Sequence, residues 1–375
     1  MKQRIELQHV SVGLPLACDV YNAHGTLLLR RGHLIESQRA LERLVQDGMF
    51  VDAEEWASSR MPAIEGEPSA LKHLVDAQRM LAGLYAQRLD EIENFRDQID
   101  KIVQAVMCAC DTHVRVSLST ILLVHDMPYS VKHPIDVAIL AKVLADTLSL
   151  ETEVQRAIVA AALTMNISMI EVQEKLQFIQ GPLNDKLMTM IKAHPEASAL
   201  RLANLGVADE KWLTLVRQHH EHHNGSGYPA GHSGEDIEIG ARLIGLADKY
   251  CAMVSKRGYR PPQKPTTAIR DLYINHGQTL HPEIAGSLIR ALGLYPVGTL
   301  VRLVTSEIGV VTGPGESPNM PEVHAIVGMS GTPLDVAPRR KTHLPKFAIE
   351  DVMTFDKLSF PVRMTSLWGK DARVH

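Results

Sequence analysis

His219-His220-Glu221-His222-His223-Asn224-Gly225-Ser226-Gly227-Tyr228-Pro229 decides how this chain is read. Two adjacent imidazoles stand at the end of a predicted helix, and a glycine-rich loop follows. Neutral imidazole is the commonest protein ligand for a borderline metal such as iron, manganese or zinc. Adjacent residues on a helix diverge by about 100°, so His219 and His220 are expected to face two neighbouring ions rather than grip one. Gly225 and Gly227 permit torsions and close approach that side chains would block. Tyr228 adds an aromatic face and a hydroxyl.

The stretch resembles the HD-GYP family of bacterial phosphodiesterases, whose pattern is HHExxDGxGYP; only Asn224 departs, standing for the aspartate. The likeness continues through Gly231, Gly234, Ile237, Ala241-Arg242 and Ala247-Asp248 to Arg257-Gly258-Tyr259-Arg260-Pro261, and spans roughly residues 113 to 295. It implies hydrolysis of cyclic di-GMP at a cluster of two or three metal ions. Upstream, however, the family's Ala-Ala-Leu-Leu-His-Asp-Ile-Gly-Lys is here Ala161-Ala162-Leu163-Thr164-Met165-Asn166-Ile167-Ser168-Met169. The His-Asp pair is replaced by Met165-Asn166, the lysine by Met169, and a glutamate found in some members by Tyr129. A thioether is a poor ligand for metals that favour nitrogen and oxygen. A neutral amide cannot offset the repulsion between two cations as a bridging carboxylate does. The resemblance therefore implies a mixed-metal centre that is lost or incomplete.

Five family ligand positions keep their residues: His133, His194 (in His194-Pro195-Glu196), His219, His220 and Asp248. Three nitrogens and a carboxylate suffice for one ion, since catalytic sites commonly use three protein ligands and water. The expected cofactor is one divalent ion, iron, manganese or zinc, or none. Gly225, Gly227, Tyr228, Pro229, Arg257 and Arg260 match ligand-binding positions; guanidinium forks suit phosphate oxygens. For each there is a plainer role: a hydrogen-bonded core histidine, a loop-bracing tyrosine, a surface arginine. His222 and His223 fall where the family has no fixed residue and are expected to face solvent.

The rest of the chain sets the context. Its 375 residues suffice for two or three domains. A net charge of −4 argues against a dominant nucleic-acid surface. Aromatics are only 5 % of residues, and Ala, Leu, Val and Ile supply the apolar mass, which fits a helix-rich body. Cys18, Cys108, Cys110 and Cys251 form no CxxC pair and no disulfide framework, so a reducing cytoplasm is expected. No apolar stretch is expected to reach membrane-spanning length.

The expected fold is mainly α, an HD-type helical bundle with a small N-terminal α/β module and a small C-terminal β appendage. The module covers residues 1–62, with a hairpin turn at Asn22-Ala23-His24-Gly25, a helix from Ser37 to Val45 and a linker from Met61-Pro62 to Pro68. Residues 69–112 form a helical linker: Leu81, Tyr85, Leu89, Ile92, Phe95, Ile99, Ile102 and Val106 recur at helical spacing. That stripe pairs either with a second copy, making a homodimer, or with the chain's own core. Residues 113–295 are the degenerate HD-GYP domain, closed by Gly293. Residues 296–375 carry strands at Thr299–Val304, Val310-Val311 and Val323–Val327, joined through Gly313-Pro314-Gly315, and a tail with Arg339-Arg340-Lys341.

Three functions stay open. The chain is a signalling protein of the cyclic di-GMP network that binds ligand or partner with little hydrolysis. Alternatively it is an active phosphodiesterase with an altered one- or two-metal site, or an interaction scaffold. In the family the Gly-Tyr-Pro loop is associated with contacts to diguanylate-cyclase domains, which makes such a protein a candidate partner.

Overall fold

The computed structural model describes residues 2–4, 18–30, 33, 50–52, 68–88, 92–179, 181, 184–256, 260–274 and 280–374. They fall into two compact units, divided between Pro68 and Ser69. In the first, β1 (Lys2–Arg4), β2 (Val20–Tyr21), β3 (Leu27–Leu29) and β4 (Phe50–Asp52) form a sheet of order β1-β4-β2-β3. The hairpin turn lies where the sequence placed it. The Asn22 side-chain oxygen accepts from the amides of His24 and Thr26 at 3.0 and 2.9 Å, and Gly25 takes a φ of +83°. The expected Ser37–Val45 helix and most of the Met61–Pro68 linker lie outside the described residues.

The second unit is the expected helical body. It opens with α1 (Ala70–Tyr85), capped by Ser69, whose hydroxyl accepts from the Lys72 amide at 3.1 Å, and α2 (Phe95–Leu123). The single helical run expected from Ser69 to Cys110 is thus a helical hairpin. Helix α1 ends at Tyr85 and α2 begins at Phe95, and just before α2 Asn94 takes a φ of +52°. Leu81, Phe95, Ile99, Ile102 and Val106 are buried in the main core, so this part of the stripe packs within the chain. Helix α2 kinks at His113, whose Nδ1 accepts from the Val116 amide at 3.2 Å and restarts the helix. Contrary to expectation, α2 is long and apolar enough by composition to cross a membrane, but 67 % of the window that qualifies is buried in the fold.

Around it pack α3 (Tyr129–Thr147), α4 (Thr152–Thr164), α5 (Ile170–Leu176), α6 (Asp185–Asn204), α7 (Glu210–Gln218), α8 (Ile239–Val254), α9 (Pro265–Ile274) and α10 (Pro282–Leu292). The central pair is α3 and α4, whose apolar residues are almost wholly buried. Gly293, at φ +69°, stops α10 and donates its amide to Ile289.

Beyond it lie β5 (Leu300–Leu303), β6 (Ile308–Ser317), β7 (Met320–Val327), β8 (Arg339–Lys341) and β9 (Ile349–Met353), ordered β8-β7-β6-β5-β9. Gly313-Pro314-Gly315 is not a connection but part of β6, accommodated by register shifts against β7. The basic Arg339-Arg340-Lys341 run is itself an edge strand. Leu300 and Val310 bury against Leu123 of α2, and this seats the sheet on the helices.

A candidate metal centre of imidazoles and one carboxylate

Helix α6 carries His194 in mid-course, followed by Pro195. Proline has no N–H, so the Ile191 carbonyl loses the partner it would find four residues on. His194 fills the gap: its Nδ1–H donates to Ile191 at 2.6 Å. A carbonyl can only accept, so the proton sits on Nδ1 and the Nε2 lone pair is bare. His219 reaches the same state by another route. Helix α7 ends at Gln218, and the terminal Val216 carbonyl accepts from His219 Nδ1–H at 2.7 Å. Metal-ligating histidines commonly have their second nitrogen held this way. Pro195→Ala is expected to return an N–H to Ile191, release His194 and weaken Mn²⁺ binding about tenfold by calorimetry. Unchanged affinity would show that this carbonyl does not govern the ring.

The two bare Nε2 atoms face each other at 3.1 Å. Burial lowers both pKa values, that of His194 to about 3 with His219 adding to the effect, so neither ring takes a second proton at neutral pH. Two lone pairs at that separation repel unless a cation stands between them. Donors about 2.1 Å from one shared ion lie roughly 3.0–3.4 Å apart, so the pair fits a single divalent ion. His220 joins them, with ligand nitrogens of all three within 4.8 Å of one another. The expected divergence of His219 and His220 onto two ions is therefore overturned. His219 caps α7 with helical torsions (φ −64°, ψ −12°), His220 follows it, and their ring centroids lie 4.2 Å apart.

Asp248 on α8 completes the donors. Its Oδ1 accepts from His133 Nε2 at 2.7 Å, and the carboxylate is 14 % exposed. Burial opposes its charge, but the His133 hydrogen bond outweighs this and holds its pKa well below the usual range. Since the carboxylate can only accept, the His133 proton sits on Nε2, and the buried Nδ1 is left without a partner. His133, stacked on Tyr129 with centroids 4.8 Å apart, is placed to orient Asp248.

The Met165–Met169 turn after α4 is pinned to both histidine-bearing helices. The Trp212 indole of α7 donates to Thr164 at 2.8 Å, and the Ser168 hydroxyl meets Ser198 of α6 at 2.8 Å and the His194 carbonyl at 3.2 Å. Within this turn Met165 is wholly buried in the apolar core, whereas Asn166 lines the cleft. The cleft has a volume of about 130 Å³ and is also lined by His133, His194, His220, Tyr228 and Asp248.

The loop rests on Glu221, whose Oε1 accepts from the amides of Ala230 and Gly231 at 2.8 and 3.1 Å. A Cβ on Gly227 would lie 2.4 Å from the His222 amide nitrogen, and one on Gly245 would lie 2.3 Å from the His219 carbonyl. Both glycines are thus required by close backbone approach. Tyr228 lays its ring 4.7 Å from that of His220, and its bond to Pro229 is cis. His222 does not simply face solvent as expected: it joins Lys249 Nζ and Ser226 Oγ, each at 3.0 Å. His223 likewise buries Nδ1 and sets its ring edge to His281. Arg260 donates to the Ala252 carbonyl at 2.8 Å and does not line the cleft; Arg257 lies outside the described residues. Sequence reasoning missed Glu221, Gly245, Ser168 and Trp212. A glycine inside a helix and an acid within the histidine run were the available signals.

Residues 117–284 match the HD domain family. The chain is 28 % identical over 311 residues to the cyclic di-GMP phosphodiesterase PA4108 of Pseudomonas aeruginosa, covering 75 % of this chain and 74 % of that one. It is 26 % identical over 232 residues to the 3′3′-cGAMP-specific phosphodiesterase 3 of Vibrio cholerae, covering 60 % and 48 %. It thus spans about three quarters of the first relative and about half of the second. Among solved structures, Bd1817, an HDG"Y"P protein from Bdellovibrio bacteriovorus, aligns at a TM-score of 0.45 and 18 % identity, covering 77 % of this chain and 98 % of that one.

Proposed function

Because the chain is a cyclic di-GMP phosphodiesterase-like protein of the HD superfamily, we propose that it acts in signalling by binding a cyclic purine dinucleotide at this cleft, with hydrolysis impaired or absent. The observation that carries the reading is the Met165–Asn166 turn. Its cleft-facing residue is a neutral amide and its partner is an apolar core residue, so the only carboxylate among the candidate donors is Asp248. His194, His219, His220 and Asp248 would hold one divalent ion. Such an ion, when bound, polarises a phosphodiester oxygen or lowers the pKa of water. The chain's own contributions are orientation and exclusion. His133 holds Asp248 in place, Pro195 and the end of α7 set the two bare Nε2 atoms, and Glu221 holds the loop that presents Tyr228 beside His220. A diguanylate-cyclase-type partner at that loop and a cytoplasmic setting belong to the same reading.

A second reading, a phosphodiesterase working with one ion, is supported by the convergence of the His194, His219 and His220 nitrogens. Metal analysis of the purified chain, calorimetry with cyclic di-GMP and chromatography for the linear product test both. The expected result is about one Mn²⁺ or Fe²⁺ per chain, saturable binding and little linear product. Rapid linearisation supports the second reading, and a chain taking up neither metal nor nucleotide is an interaction scaffold.

A further inference from the structure

We infer that the side of the cleft formed by α5 meets the edge of a purine base, with Gln173 as the residue that pairs with it; the inference rests on the nucleotide-binding reading above. The imidazoles and Asp248 gather at one part of the cleft, whereas the segment from α4 through α5 brings only uncharged groups: Asn166, Met169, Gln173, Leu176 and Gln177. Apolar surface with a few amides suits a nucleobase rather than a phosphate or a metal ion. Gln173 is 6 % exposed, lines the cleft, and its carboxamide oxygen is buried without a hydrogen-bond partner. Buried polar groups are nearly always satisfied, so an unpaired one on a cleft-lining side chain marks a place where a ligand completes the hydrogen bonding.

The helix bearing it is fixed. The Glu174 carboxylate accepts from the Ser130 amide at 2.7 Å and so ties α5 to the first turn of α3. Gln173, on the same turn of α5, remains uncommitted. A carboxamide offers a donor and an acceptor side by side, and it pairs in a bidentate manner with any base edge offering the complement. Adenine offers an N–H beside a ring nitrogen, and guanine offers O6 beside N1–H. Gln173 as it stands therefore accepts either purine.

The test compares the full-length wild-type chain with Gln173→Glu and Gln173→Leu, each loaded with Mn²⁺ and titrated calorimetrically with cyclic di-GMP and cyclic di-AMP. A carboxylate accepts twice and donates nothing, so it matches the adjacent N1–H and N2–H of guanine but opposes the ring nitrogen of adenine. Gln173→Glu is expected to shift the affinity ratio toward cyclic di-GMP by on the order of tenfold. Gln173→Leu is expected to weaken both ligands on the order of tenfold, with the bound Mn²⁺ unchanged. The ratio cancels any general damage to the cleft, so an unchanged ratio with binding intact overturns base reading and leaves the nucleotide site standing. A wild-type chain that loads Mn²⁺ but binds neither dinucleotide overturns both.

Discussion

Asp248→Asn is expected to lower Mn²⁺ affinity at least about 100-fold while leaving the metal-free chain folded. Loss of a partner that only orients a ligand typically weakens a metal site 10- to 100-fold, and Asp248 contributes the charge itself. With it, three neutral imidazoles and one carboxylate place a net −1 around a dication; without it the donors are neutral. Asparagine keeps the shape, and its carboxamide oxygen still accepts from His133 Nε2, now 2.7 Å from Oδ1. Apo stability is therefore expected to fall only modestly. Thermal unfolding with and without Mn²⁺ separates the two effects. Metal at 100 times its dissociation constant stabilises a folded chain by about 2.7 kcal/mol. That increment is expected in the wild type and reduced to about 0.4 kcal/mol or less in the variant at the same Mn²⁺ concentration. A variant that retains it would remove Asp248 from the donors and reduce its bond with His133 to an internal ion pair.

The centre was legible in sequence to the extent that its chemistry is carried by residue type. His133, His194, His219, His220 and Asp248 stand in four different helices or their ends, more than 100 residues apart at the extremes, yet three of the imidazoles gather into one group and His133 meets Asp248. What spacing could not give is proton placement. That depends on carbonyls freed by Pro195 and by the end of α7, a matter of backbone hydrogen bonding rather than of side-chain pattern. Nor could it show that His219 and His220 converge, because the meeting of two rings depends on side-chain torsions as well as on the step along the helix. The stripe from Leu81 to Val106 shows the same limit on a larger scale. Its periodicity ran smoothly from Leu81 to Val106, while α1 ends at Tyr85, α2 starts at Phe95, and the two bury their apolar faces in the same core. In the sheet, Gly313-Pro314-Gly315 read as a break, but irregular register against β7 admits it within β6.

Asn166→Asp is expected to raise the metal content from about one to about two Mn²⁺ per chain and to bring measurable linearisation of cyclic di-GMP. Two dications about 4 Å apart repel by roughly 17 kcal/mol at an effective dielectric near 20, so a second ion needs an anion between the two. Position 166 is the place for it, because Asn166 lines the same cleft as His133, His194 and Asp248. The single substitution is a cleaner instrument than restoring the whole family pair. Met165 is fully buried in the apolar core, and an imidazole there would be desolvated among aliphatic groups unless it turned toward the cleft. The new carboxylate carries its own signature. It follows the C-terminal end of α4, where a negative charge is disfavoured by about 0.3–1 kcal/mol. The apo variant is therefore expected to be slightly less stable than wild type, whereas Mn²⁺ loading is expected to stabilise the variant more than it stabilises wild type. If the metal content stays at one, charge at this turn is not what limits the site, and the account of impaired hydrolysis fails with it.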